Sequence, residues 1–562
     1  MFRRALSHRG EDPPIAIIGA GFAGIGAAVK LRRAGFQRIT LFDRASAPGG
    51  TWWHNRYHGA EVDTPSVLYS YSWMPWNWSR THVQQAELQA YLTAVLERFD
   101  LTRNCRFGVD VDRVHWHEES GEYSIHSGST ELMRAKYVIS AVGLLSDPRI
   151  PNLPGLDTFE GPLFHSSKWD TGLDVTGARI GVIGSGSTGT QIVPALAKTA
   201  KQVTMFQREP GWIVPKMARP FTSEERWALD SRIAQRIVRT MMIYKRDRAQ
   251  LGGAIWRPGT PQNSGAEKAA RAFIQRSLSG RPDLAEAVTP KHPYGSKRPI
   301  ISDDFYPSLL AENVRLVPHA VRELTRRGLV DATGAEHEFD ALVLATGFKA
   351  DFLSTFDVTG HDGRSIHDYW HGDERAFLGV MVPEFPNFFI MYGPNTNGGT
   401  IVTNLELQAS YIAAAIRRVE RHRGSTVEVR PWAADLYDRA IQRMLRGTAF
   451  EYEHNYYRSG SGRIATQWPD GVMLYGGLTK VLRGPVLHVS SRLGRSETAA
   501  GSPGPVAAGV AGPLARTAAS AIKAFRILNA VDIRTVNTAF NDPDAKSGDA
   551  TTAKPDLGSE VV

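Results

Sequence analysis

Two glycine-rich turns, Gly19-Ala20-Gly21-Phe22-Ala23-Gly24 and Gly184-Ser185-Gly186-Ser187-Thr188-Gly189, place phosphate-binding chemistry twice in one chain. In such a turn the first glycine permits the bend, the second lets backbone N–H groups approach a pyrophosphate, and the third lets helix and strand pack closely. Asp43 and Arg208 each lie 24 residues past the first glycine of their turn. A carboxylate there accepts hydrogen bonds from the ribose hydroxyls of an unphosphorylated adenosine, as in FAD or NAD, whereas a guanidinium pairs with a 2′-phosphate. The first turn, with Gly19, Gly21, Gly24 and Asp43, therefore suits FAD. The second, with Gly184, Gly186, Ser187, Thr188, Gln191 and Arg208, suits NADPH. Glu209 complicates that assignment, because an acid pointing into the site would repel a 2′-phosphate.

The flanking patterns are those that position such turns. Residues 15–19 are an apolar run, 22–34 have helical spacing ending at Gly35, and 39–42 resume a strand; 179–184, 187–200 and 202–206 repeat the order. Each set reads as a β-α-β unit. Strands are expected at 106–117, 123–126 and 137–142. Those at 341–345, before Thr346 and Gly347, and at 387–392 read as a return to the first domain. The expected fold is α/β, with two Rossmann-like dinucleotide-binding domains, the second inserted in the first. FAD-binding residues 13–155 and 341–490 flank an NADP-binding domain at 156–340, which carries a helical insertion at about 222–290.

Composition narrows the function classes. The 562 residues are 42% hydrophobic and 22% charged, enough for two or three cores. A lone Cys105 excludes a disulfide framework, a cysteine-rich zinc site and a redox Cys-x-x-Cys pair, and fits a reducing, cytoplasmic setting; no metal is called for. The net charge of +9 is dispersed rather than clustered, which argues against nucleic acid. No apolar run approaches the roughly 20 residues of a membrane span. Residues 491–562 read as a low-complexity tail in which Leu514, Ala518, Ile522, Phe525 and Leu528 would share one face of a short helix at 513–530; a helix resting on its own protein or fraying in solvent is favoured over membrane or partner attachment. No motif specifies an oligomeric state.

The segment Phe159-Glu160-Gly161-Pro162-Leu163-Phe164-His165-Ser166-Ser167-Lys168-Trp169-Asp170 matches F-x-G-x-x-x-H-x-x-x-W-[P/D] and resembles the fingerprint of Baeyer-Villiger monooxygenases, flavin-dependent class B enzymes. The run from Gly49 through Gly50, Thr51 and Trp52 to Asn55-Arg56-Tyr57-His58-Gly59 and Asp63 is similar to that family's G-G-T-W…N-R-Y-P-G…D stretch, with His58 in place of the usual Pro. Gly295-Ser296-Lys297-Arg298-Pro299 is similar to its G-[ST]-K-R-P segment, and Ala345-Thr346-Gly347 and Gly393-Pro394-Asn395 to later turns near the flavin. The resemblance runs from about residue 15 to 482.

The resemblance implies that NADPH reduces FAD, that O2 forms a C4a-peroxyflavin, and that this attacks a ketone to give an ester or lactone. It implies Arg298 as the catalytic cation, Asp63 as its partner, Lys297 as a second contact to the 2′-phosphate, and Gly50, Thr51, Trp52, Tyr69, Thr346 and Gly347 around the cofactors. It assigns His165 to cofactor handling and domain coupling rather than to acid–base chemistry. A permanent cation beside an anionic peroxide is what an arginine supplies at any working pH. Three alternatives stand beside this reading: an N- or S-oxygenating enzyme, an uncoupled NADPH oxidase or flavin reductase, and a flavin-binding regulatory protein. Tyr69, Tyr71, Trp73, Trp76 and Trp78 read equally well as an apolar pocket and as core.

Overall fold

The computed structural model describes residues 12–453 and 455–491; the expected helix at 513–530 lies outside the described residues. The first turn emerges from a five-stranded, wholly parallel sheet in the order Phe388–Ile390, Tyr137–Ser140, Ile15–Ile18, Ile39–Asp43, Cys105–Phe107. Ile15–Ile18 and Tyr137–Ser140 are buried at every position, as expected for parallel strands covered on both faces. The Phe22–Ala34 helix follows the turn and stops at Gly35, which adopts a left-handed φ of 107° and returns its N–H to the helix's last carbonyls. The long Ile401–Arg421 helix packs against it.

The second turn emerges from another five-stranded parallel sheet, Val314–Val317, Gln202–Phe206, Arg179–Ile183, Ala341–Leu344, Leu163–His165. Ala341–Leu344 thus departs from the expected return to the first sheet at residue 341. Its apolar residues are claimed by parallel pairing with Arg179–Ile183 on one side and Leu163–His165 on the other. The chain rejoins the first sheet only at Phe388–Ile390. The two sheets have separate apolar cores, one with Ile180, Val182, Ile192, Val203 and Val343, the other with Ala16, Ile18, Val138 and Phe388.

Between Gln202–Phe206 and Val314–Val317 lie five helices, Ser223–Asp230, Arg232–Gln250, Pro261–Ser277, Pro282–Ala287 and the short Phe305–Ser308. Thr222 and Glu225 form a reciprocal capping box at the first, and the side chains of Ser231 and Thr260 cap the next two. Gly252 and Gly253, both at positive φ, break the run after Gln250. The single strand expected at 106–117 is instead two, Cys105–Phe107 in the first sheet and Arg113–His117 in a separate four-stranded sheet. Gly108, at φ 70°, turns the chain between them.

Beside that smaller sheet a cluster of three titratable groups has a testable consequence. His361 Nδ1 lies 2.5 Å from Glu118 Oε1 and its Nε2 3.1 Å from Glu428 Oε1. Burial alone would lower the imidazole's affinity for a proton, but Glu428 and Glu118 outweigh it and raise the pKa to about 9. Because the folded value exceeds the unfolded one, this contribution is complete below about pH 6.5 and is lost as the pH rises through about 9. Denaturant titrations should show on the order of 3 kcal/mol less stability at high pH from this group, and His361→Gln should flatten that dependence. An unchanged pH profile in the variant would refute the assignment.

Candidate cofactor cleft and reaction centre

Both glycine-rich turns open onto one continuous cavity of about 1160 Å³, larger than the usual pocket for a single small molecule. Gly19 and Gly21 line it on one side and Gly186, Ser187 and Thr188 on the other. The helices that begin at Phe22 and Ser187 have no side-chain cap at Gly21 or Gly186, which leaves their first backbone N–H groups for an anion. Gly19 and Gly184 have φ of 108° and 117°, and a Cβ on either would meet a carbonyl of the neighbouring strand's end, that of Ala141 or Ala345, at 2.5 or 2.3 Å. Gly24 and Gly184 are not on the cavity wall; they build the turns. Asp43 does line it, and its carboxylate is fixed by the backbone N–H groups of Ala20 at 2.6 Å and Ala45 at 2.8 Å.

The loop from Gly49 to Asp63 joins the two units. Gly50 takes a positive φ, the short Thr51–His54 helix follows, and Gly50, Thr51 and Trp52 reach the cavity. Trp52 Nε1 donates to Tyr69 Oη at 3.3 Å, and Gln85 donates to the Trp52 carbonyl. Further on, Tyr57 Oη donates to Gln191 Oε1 at 2.8 Å while Gln191 Nε2 donates to the Glu61 carbonyl at 3.0 Å. Gly59 is required there, since a Cβ would sit 2.5 Å from the Gln191 carbonyl oxygen. Gln191 is therefore a stitch between the units as well as a wall of the cavity. Of the five aromatic residues grouped in sequence, only Tyr69 lines the cavity. Tyr71 and Trp78 are buried, and Tyr71 stacks on Trp73 at 4.4 Å and donates to the Phe22 carbonyl, so these are core.

Arg298 and Asp63 meet on the same wall, with Arg298 Nη2 2.5 Å from Asp63 Oδ2. Burial favours a protonated Asp63, but Arg298, Arg246 and Lys216 together outweigh it and hold the carboxyl below its usual range, so it is ionised. Asp63 in turn raises the Arg298 pKa still further. Gly295 takes a φ of 87°, with Trp256 so near that a Cβ would lie 2.9 Å away. Buried Ser296 bonds to His292, and Asn455 Nδ2 donates to the Ser296 carbonyl. The segment is thus clamped just before Arg298. Tyr392 and Tyr456 complete the wall beside it.

Elsewhere the cavity wall carries Arg208, Glu209 and Lys297. Lys297 pairs with Glu209, which also accepts from Tyr452 Oη at 3.0 Å. Glu209 is therefore ionised but neutralised by a lysine. Arg208 is exposed and has no hydrogen-bond partner among the described residues. The local balance is one cation beyond neutrality, which an additional phosphate suits.

Residues 16–227 match the pyridine nucleotide-disulphide oxidoreductase family model; a chain with one cysteine cannot share that disulphide chemistry. A Baeyer-Villiger monooxygenase of Streptomyces coelicolor is 35% identical over 82% of this chain and 89% of its own. The chain belongs to the Baeyer-Villiger monooxygenase family. A second relative with that name, from Pseudomonas aeruginosa, is 32% identical over 85% of this chain and 91% of its own. The structure of cyclohexanone monooxygenase from Rhodococcus sp. Phi1 bound to NADP+ superposes with a TM-score of 0.76 at 31% identity, covering 85% of this chain and 99% of that one.

In this monooxygenase the fingerprint histidine is a tether. His165 is buried, its Nε2 donates to the Gly347 carbonyl at 2.9 Å, and its Nδ1 accepts from Ser167. Burial lowers its pKa, so the ring is neutral. It does not line the cavity, but Gly347 and Ser167 do, and Thr346 beside them bonds to the Arg149 carbonyl. His58, the departure from the family's usual Pro, packs edge-on against the fingerprint Trp169 at 5.4 Å. Sequence reasoning missed Arg246, Lys216, Tyr392 and Tyr456. Arg246 and Lys216 carry no motif of their own and reach Asp63 only through the tertiary fold. Tyr392 immediately precedes the Gly393-Pro394-Asn395 turn, which was the available signal.

Proposed function

We propose that Arg298 and Asp63 form the reaction centre of an FAD- and NADPH-dependent monooxygenase that inserts one oxygen atom of O2 beside a ketone carbonyl, giving an ester or lactone. The observation that carries this reading is the Arg298–Asp63 pair on the wall of the one cavity shared by both glycine-rich turns. FAD fits the first turn: its pyrophosphate would lie against the uncapped N–H groups after Gly21, with Asp43 facing the ribose hydroxyls and Gly50, Thr51, Trp52 and Tyr69 beside it. NADPH fits the second, against Gly186, Ser187 and Thr188, with Arg208 and Lys297 on its 2′-phosphate. On this reading residues 13–155 and the chain beyond residue 344 hold FAD, residues 156–344 hold NADPH, and His165 couples the two. The lone cysteine suits cytoplasmic work.

When bound and reduced by NADPH, FAD supplies the activated oxygen derived from O2. Arg298 stabilises the negative charge that develops on oxygen as the ketone carbonyl is attacked. Asp63 aims the guanidinium and remains ionised through the reaction, held so by Arg298, Arg246 and Lys216.

A panel of cyclic and open-chain ketones, followed by product analysis alongside NADPH consumption, tests the reaction type; NADPH consumption without ester from any ketone would refute it. Arg208→Ala tests the cofactor assignment. It should raise the NADPH Michaelis constant by roughly tenfold or more, the scale of a lost charge-assisted phosphate contact, and leave the NADH constant almost unchanged. Equal effects on both would remove Arg208 from the 2′-phosphate.

A further inference from the structure

The helix Arg232–Gln250 is amphipathic in the reverse of the usual sense. Its inward face is polar: Gln235, Arg239, Asp247 and Gln250 are its buried residues. Arg239 donates to the carbonyls of Val67, Leu68 and Ser70 and pairs with Glu406 at 3.2 Å, while Asp247 accepts from the backbone N–H groups of Val472 and Met473. These contacts fix which way the helix faces. Its outward face carries Ile233, Ile237, Met241 and Tyr244, spaced four, four and three residues apart and exposed by 74%, 54%, 55% and 47%. Trp227, on the preceding helix, is 79% exposed. Scattered exposed apolar residues are ordinary, but a continuous apolar stripe on one helix marks a contact surface.

Charge identifies what that surface contacts. The helix has six basic residues and a single acid, and that acid, Asp247, is buried. Arg232, Arg236 and Lys245 are exposed beside the stripe. A second copy of the chain would bring the same cations against these, which is repulsive. An anionic lipid surface complements both features: the stripe enters the headgroup boundary, Trp227 and Tyr244 suit the water–lipid interface, and the cations meet the phosphates. We propose that the Arg232–Gln250 helix, with Trp227 beside it, seats this enzyme on anionic phospholipid bilayers, lying in the interface plane; no helix among the described residues is long and apolar enough to span one. Arg246, on the same helix, is in electrostatic range of Asp63 and Arg298. Seating would therefore place the reaction centre one helix away from the phase in which apolar ketones concentrate.

The test is sedimentation of the full-length holoprotein with vesicles of phosphatidylcholine, alone or mixed with phosphatidylglycerol, at low and high salt. The proposal predicts that the bound fraction with phosphatidylglycerol exceeds that with phosphatidylcholine about tenfold at low salt and falls as salt screens the cations. Ile237→Glu with Met241→Glu, and separately Arg232→Glu with Arg236→Glu, should each lower binding about tenfold while FAD content and NADPH oxidation stay at the parent level. The charge-reversed pair keeps the test decisive if the apolar pair does not fold. Absence of vesicle binding overturns the proposal. So does binding that both variants retain, which would put attachment elsewhere, as at residues 513–530. Sedimentation velocity showing a dimer that the variants dissociate, with no vesicle binding, would assign the stripe to a second copy instead.

Discussion

Arg298→Ala leaves FAD bound and lowers ketone oxygenation by at least about a hundred- to thousandfold, the usual cost of deleting one preorganised charge stabiliser at a reacting oxygen. The physical case rests on position and permanence of charge. The guanidinium is held at 2.5 Å by Asp63, which raises its pKa still further, so it is cationic at every accessible pH. FAD retention follows because the residues proposed to hold FAD, around Gly21 and Asp43, belong to other parts of the cavity wall. Arg298→Lys should recover only a small part of the rate, since a point charge on a flexible stem does not reproduce the planar fork aligned on Asp63. The measurement is initial rate of ester formation beside FAD absorbance of the purified variants. An Arg298→Ala enzyme with parental product formation would remove Arg298 from the chemistry.

Gly24→Ala abolishes the FAD-loaded protein, whereas Gly186→Ala leaves it intact and weakens NADPH. The two glycines occupy different positions in equivalent turns, and what surrounds them separates structural from ligand demand. A Cβ at Gly24 would lie 1.8 Å from the Gly19 carbonyl oxygen, and at Gly189 the corresponding distance to Gly184 is 2.2 Å. No rotamer relieves a backbone clash of that size, so helix and strand must separate and the pyrophosphate site opens. At Gly186 a Cβ meets nothing within 4 Å. The methyl group there would occupy only the space that the nucleotide's phosphates need, so the expected result is a normal FAD spectrum and an NADPH half-saturation raised by about tenfold or more. Purified Gly24→Ala protein carrying a full complement of FAD would contradict this account of the turn.

The two glycine-rich turns were legible because the constraint is local: a strand, a bend only glycine can make, and a helix start are written within a few consecutive positions. The matched offsets of Asp43 and Arg208 were legible for the same reason. Glu209 was not, because its effect depends on where a carboxylate turns. In the fold it turns to Lys297 and Tyr452, which are far away in sequence. The sheet that Ala341–Leu344 joins was not legible, since four buried apolar residues carry no information about which neighbours they pair with. Arg246 illustrates the deepest gap. Nothing in the pattern of a basic helix distinguishes the arginine that faces Asp63 from those that face outward; only the seating of that helix by Arg239 and Asp247 does.

The most direct test of oxygen insertion is a turnover of the holoenzyme with NADPH, a ketone and isotopically labelled O2, with mass analysis of the product and parallel counting of NADPH and hydrogen peroxide. The account predicts an ester or lactone carrying one labelled oxygen atom, formed in step with NADPH consumption, and little peroxide. Unlabelled product, or NADPH oxidation whose electrons all appear as hydrogen peroxide whatever ketone is present, would contradict it.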